Sequence, residues 1–172
     1  MRGLQDFHPS INTLQVIKEG EKMTYYSTKT YGHNIGLACV FRQPNADHSH
    51  CHLLHGYSLA FRFTFGCHEL DNKNWAVDFG GLKPLKKWLE DHFDHKTAVD
   101  KNDPHLDKLM ELEKHDLAEI VVFDGVGAEK FAEHAFNFAD KLVKDMTDGR
   151  CYVESVECME HGANSAIYKR QS

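Results

Sequence analysis

The chain has 172 residues and 19.7 kDa, the size of one domain with a full hydrophobic core, and residues 1–172 are read as a single domain. A net charge of −6 and a pI near 6.1, with acidic and basic residues interspersed, exclude the basic footprint of a nucleic-acid binder. No apolar run approaches a membrane span and Met1–Phe7 holds no apolar signal region, so a cytoplasmic protein without nucleic-acid or membrane partners is expected.

Residues 1–24 mix polar and scattered apolar positions and assign no element. From Tyr25 to Phe41 the β-forming residues predict a first long strand, with turn residues at Gly32-His-Asn34. After the loop Gln43–Asp47 and a histidine-rich stretch, Tyr57, Leu59, Phe61, Phe63 and Phe65 alternate with Ser58, Ala60, Arg62 and Thr64, the period of a half-buried strand running to about Gly66. Glu69–Asn74 reads as a polar turn. Leu82, Leu85, Leu89 and Phe93 mark one face of a helix with Pro84 in its first turn, ending near Asp94-His95. Residues 104–115 suggest a short extra helix and Ile120–Phe123 is a brief apolar run. A second amphipathic helix covers 128–146, with Phe131, Ala135, Phe138 and Leu142 as its stripe. Strands over 151–160 and 164–170 follow, separated by His161-Gly-Ala163. Strand pairs flanking helices predict an α+β layer: a four-stranded antiparallel sheet with two helices on one face.

The chemistry concentrates in Asp47-His-Ser-His-Cys-His-Leu-Leu-His-Gly-Tyr57, which holds His48, His50, His52, His55 and Cys51. Extending strand parity backwards puts His55 on the covered face, and Cys51 too if the chain stays extended. The plain reading is a histidine-rich surface loop before a core strand; the functional one is a thiol and an imidazole at the mouth of a sheet. The five cysteines (39, 51, 67, 151, 158) are an odd number without paired zinc-type spacing, and read as thiols, most of them buried.

Four pieces in order, Cys51-x3-His55-Gly, Val77-Asp-Phe-x2-Leu-Lys83, Asp94-His-Lys96 and Glu160 eight residues before Tyr168, resemble the 6-pyruvoyltetrahydropterin synthase / 6-carboxytetrahydropterin synthase family over about residues 30–170. The resemblance implies the tunnelling fold, in which sheets of several subunits close a barrel as a homotrimer or homohexamer, with active sites between subunits. It implies a lyase acting on a small-molecule pterin, 7,8-dihydroneopterin triphosphate. The reading is most like 6-carboxytetrahydropterin synthase, on the way to queuosine-type deazapurines, with the 6-pyruvoyl activity or a non-catalytic pterin- or purine-binding module as rivals. By the same resemblance Cys51 moves side-chain protons, Asp94 and His95 of a neighbouring subunit relay them, and Glu160 grips the guanidine-like edge of the pterin. Glu129 stands where the family has the acid of a Pro-Thr-x-Glu helix start, although Val126-Gly-Ala lacks the Pro-Thr; it is first a helix N-terminal acid and second a pterin contact.

The chemistry asks for the same types: a thiol near histidines as base, an imidazole held by a carboxylate, a buried carboxylate matching two N–H donors. Each residue also has a structural reading: Cys51 as a part-buried thiol, Asp94-His95 as a helix end, Glu160 as a solvated strand end. The family's zinc is held by a histidine on the first strand and a His-Gly-His pair on the second. Here the pair is His55-Gly56-Tyr57, and no histidine stands near Cys39-Val-Phe41. His55 and His50 are the expected zinc ligands if the 47–52 segment turns, with His48, His52 and His161 as other replacements; a metal-free site with Tyr57 as acid is the alternative.

Overall fold

The computed structural model describes residues 23–171; of the unassigned stretch 1–24, residues 1–22 lie outside them. Seven strands and three helices follow in the order β1 (Tyr25–Tyr31), β2 (Leu37–Phe41), β3 (His55–Cys67), α1 (Lys83–Phe93), β4 (Lys96–Asp100), α2 (Leu106–Lys114), β5 (Ile120–Phe123), α3 (Ala128–Met146), β6 (Cys151–His161) and β7 (Asn164–Lys169).

The aromatic strand organises the sheet. Along one edge β3 pairs antiparallel first with β2 (Leu37↔Leu59 to Phe41↔His55) and then with β1 (Tyr31↔Phe61 to Tyr25↔Cys67); along the other it pairs with β6, which pairs with β7. Beyond β2 lie β4 and then β5, both joined in parallel. The sheet is therefore mixed and seven-stranded, which corrects the expected four-stranded antiparallel sheet. Two local causes account for the difference. The long first strand is broken by a 3-10 turn at His33–Ile35, closed by Gly36 in the left-handed region at φ 85°. Lys96–Asp100 and Ile120–Phe123 are short parallel strands; Thr97, Ala98 and Val99 are all buried, so no alternation announces β4.

Helices α1 and α3 cover one face. Leu85, Leu89 and Phe93 meet Phe61, Phe63, Phe65, Phe131, Ala135 and Ala139 in one cluster, each large side chain contributing roughly 1.5–3 kcal/mol by leaving water. The α3 stripe is centred one step round from expectation, on Phe131, Ala132, Ala135, Phe136, Ala139 and Val143. Phe138 lies at its margin, stacked on Trp88 of α1 at 5.0 Å. Arg62 and Ser58 face away from this core and are exposed, while Ala60 and Gly66 on the same face of β3 are buried. Among the described residues no helix is long and apolar enough to cross a membrane.

Candidate functional site

The histidine-rich stretch does not stay extended. Ser49 caps a 3-10 turn at His50–His52, its Oγ accepting from the Cys51 N–H at 3.1 Å, while the Cys51 carbonyl accepts from Gln43 N–H at 2.8 Å. The turn expected of Asp47 and Ser49 is present, and it takes Cys51 out of strand parity: this thiol is exposed, whereas Cys39, Cys67, Cys151 and Cys158 are buried. Burial pushes Cys39 up to about 12 and Cys151 to about 11, which leaves both protonated and inert at neutral pH.

At the start of β3 the parity holds. His55 and Tyr57 are half-buried on the helix-covered side, with ring centroids 5.7 Å apart, and the His161 ring lies 5.8 Å from Tyr57. The Tyr57 hydroxyl is raised above the usual phenol range by burial, then by the nearby Glu160 carboxylate and the Cys51 thiol. Glu160 continues the inward face of Val156 and Cys158 and is half-buried, at a register irregularity where the β6–β7 hairpin shifts between Met159 and His161. The Cys158 thiol is raised by burial, then by Glu160, Cys39 and Glu129, so the two glutamates share its neighbourhood. Neither Glu129 nor Glu160 has a cation as ion-pair partner among the described residues. Cys51, Tyr57, Glu160 and Glu129 thus gather at one end of the sheet.

Glu129 is exposed in the first turn of α3, where the partial positive charge of the helix end favours an acid. Its placement depends on two residues that sequence reasoning missed. Gly127 has φ 104°, and the Gln43 side chain fills the space a Cβ would need. The Gln43 amide donates to Val126 O at 3.0 Å while its backbone holds Cys51 O, so one residue braces the cysteine turn against the α3 N-terminus. The doubled glycine of Gly125-Val-Gly127 before a helix was the available signal.

Asp94 and His95 stand elsewhere. Asp94 caps α1, its N–H donating to Glu90 O, and its Oδ1 lies 2.6 Å from His95 Nδ1. His95 is a non-glycine residue at φ 56°, with its side chain 84% exposed. It lines a groove of 460 Å³ with Val40, Gly56, Tyr57 and Ser58, which neither Cys51, Glu160 nor Glu129 lines. The pair is therefore offered outward instead of to this chain's own thiol.

His50 and His55 are the expected zinc ligands. His50 lines a shallow cavity with Asp47, His48, Ser49 and His52; His55 instead packs on Phe41, ring centroids 4.8 Å apart. Phe41, which pairs with His55 across the ladder, offers no lone pair. Among the described residues no three of His, Cys, Asp and Glu group as a metal site. The donor set does not fit a three-ligand zinc.

The 6-pyruvoyl tetrahydropterin synthase family model matches residues 32–171. A curated 6-carboxy-5,6,7,8-tetrahydropterin synthase of Rickettsia typhi is 32% identical over 62 residues, 36% of this chain and 45% of the relative, so the match spans about half of that protein's length. Among solved structures, an uncharacterized protein from Wolinella succinogenes has a TM-score of 0.71 at 18% identity. A 6-pyruvoyltetrahydropterin synthase variant from Plasmodium vivax has a TM-score of 0.65 at 13% identity. Both comparisons cover 87% of this chain and 99% of the other, and at such identities they speak for the fold.

Proposed function

The chain belongs to the 6-pyruvoyl tetrahydropterin synthase family, and from that premise we propose that it is a pterin-forming lyase acting on 7,8-dihydroneopterin triphosphate. The proposed product is 6-carboxy-5,6,7,8-tetrahydropterin, with acetaldehyde and triphosphate released. The observation that carries the reading is the meeting, at one sheet end, of two carboxylates without cation partners among the described residues, a phenol and the chain's exposed thiol.

Each residue has a task its surroundings suit. Glu160, held in the hairpin irregularity, accepts the 2-amino and ring N–H donors of the pterin as a bidentate pair, and Glu129 adds a second acceptor at the same edge. Cys51, free at the surface of its capped turn, takes a proton from the side chain of the bound pterin. His95, its Nδ1 beside Asp94, carries a proton to or from a side-chain hydroxyl; the carboxylate fixes the tautomer. Since His95 opens onto a groove that Cys51 does not line, the pair serves a neighbouring copy's thiol, which makes a homotrimer or homohexamer part of this proposal.

Incubation with 7,8-dihydroneopterin triphosphate and identification of the products tests this. The 6-carboxy product with acetaldehyde is expected. The 6-pyruvoyl product would reassign the reaction within the family. Tight pterin binding without turnover would favour a binding module, a reading to which the altered metal positions lend weight.

A further inference from the structure

The place corresponding to the family's metal is rebuilt as an aromatic corner. His55 and Tyr57 project from β3 on one side, and Phe41 faces them from β2 in register with His55. Phe41 is 1% exposed, and its ring centroid is 4.8 Å from His55 and 6.1 Å from Tyr57. It also packs edge-on against Phe131 at 5.2 Å, so it belongs to the core and cannot swing aside to admit an ion. Cys39, directly opposite Tyr57 in the ladder, is 1% exposed and sealed in the core. The corner therefore offers a cation one imidazole: His55 Nδ1 lies 2.8 Å from Leu53 O, which makes it the protonated nitrogen and leaves the lone pair on Nε2.

The other groups facing Tyr57 are His161, Glu160 and Cys51. An ordinary phenol carries its proton at neutral pH. A protonated phenol on a strand is a fixed O–H donor. It can polarise a side-chain oxygen of a bound pterin, a task that elsewhere falls to a Lewis acid.

We propose that this chain works without a resident metal at the His55 corner, and that the Tyr57 hydroxyl is the hydrogen-bond donor to a side-chain oxygen of the bound pterin. The identity of that oxygen rests on the lyase reading; the metal half of the proposal does not.

Protein purified without a histidine tag or added metal decides the first half by elemental analysis. Less than about a tenth of a zinc per chain is expected, and about one zinc per chain would overturn the proposal. A gain of function checks its cause: Phe41→His with Tyr57→His restores three imidazoles and should bind about one zinc per chain. If that variant folds, by circular dichroism, and still takes no zinc, the corner is not the determinant and the proposal fails. Because Phe41 is a core residue the double variant can be lost to misfolding, and the wild-type metal content then decides alone.

The second half is read from Tyr57→Phe, which keeps the ring and removes the donor. A fall in kcat of about a hundredfold with little change in KM is expected. Wild-type kcat in Tyr57→Phe would overturn the assignment. If wild-type protein does not turn over the triphosphate, the lyase reading fails; neopterin affinity then replaces kcat as the readout for Tyr57→Phe, with an unchanged value counting against the donor, and the metal content is unaffected.

Discussion

Glu160 is the side chain whose inward position strand parity foretells, because Val156 and Cys158 on the same face are core residues and β6 runs straight through them. Cys51 is the opposite case. Parity carried past His55 turns the thiol inwards, and the structure turns it out, since Ser49 captures the Cys51 N–H and a 3-10 turn replaces the strand. Local side-chain hydrogen bonds of this kind have no period and are not visible as a pattern. The Gln43 brace is equally hidden, for it joins residues 83 positions apart. With Glu160 as pterin anchor, Glu160→Gln should weaken pterin binding by roughly ten- to a hundredfold, the loss of about 1.5–3 kcal/mol from a charge-assisted pair. Cys51→Ala should bind pterin nearly normally and turn over about a hundredfold more slowly, as for a lost acid–base group. Titration calorimetry with neopterin checks the first, and equal affinity of wild type and Glu160→Gln would remove the anchor.

Among the elements, the two amphipathic helices and the aromatic strand were legible because each repeats a period over many residues. The parallel strands β4 and β5 were not: β4 is buried over Thr97–Val99 and shows no alternation, and β5 is an edge strand of four residues, too short to establish a period. The end of α1 carries a second signal. The residue after its cap adopts the left-handed conformation that glycine adopts without strain, and a histidine stands there. His95→Gly should raise or preserve the melting temperature, by relief of about 1 kcal/mol of backbone strain, while lowering turnover by about a hundredfold. A variant both less stable and fully active would contradict the relay role. The closing strand is tied down by Asp140 of α3, which accepts from Val153 N–H at 2.9 Å and pairs with Lys144 at 2.7 Å and with Arg170. Burial alone would raise this carboxyl; Lys144, the Val153 N–H and Arg170 outweigh it and hold it below the usual carboxylate range. A carboxyl lowered by folding stabilises fully above its unfolded value and loses that contribution as pH falls through the folded one. Asp140→Asn should therefore melt lower at pH 7, by on the order of 1–3 kcal/mol, with the gap closing in acid as the lowered carboxyl is protonated. An equal gap at both pH values would show that charge is not the tie.

At the scale of the whole molecule, β1, β5 and β7 each pair on one side only among the described residues, and Tyr25, Tyr26, Trp75, Phe79 and Ile167 are exposed. Open edges of this kind invite pairing, and closure of several copies into a barrel removes them. Sedimentation at micromolar concentration should find a trimer or hexamer; a compact monomer would contradict the shared site. The number of copies in an assembly is not legible in the sequence, because it depends on angles between chains and not on any period within one. The shared site itself is tested most directly by subunit mixing. Cys51→Ala and His95→Ala should each be nearly inactive on 7,8-dihydroneopterin triphosphate. Co-refolded in equal amounts, they should regain about a quarter of wild-type turnover, because one site in four then unites an intact thiol with an intact neighbouring relay. Mixed oligomers that form in full and stay as inactive as their parents would contradict a site built from Cys51 of one copy and Asp94-His95 of the next.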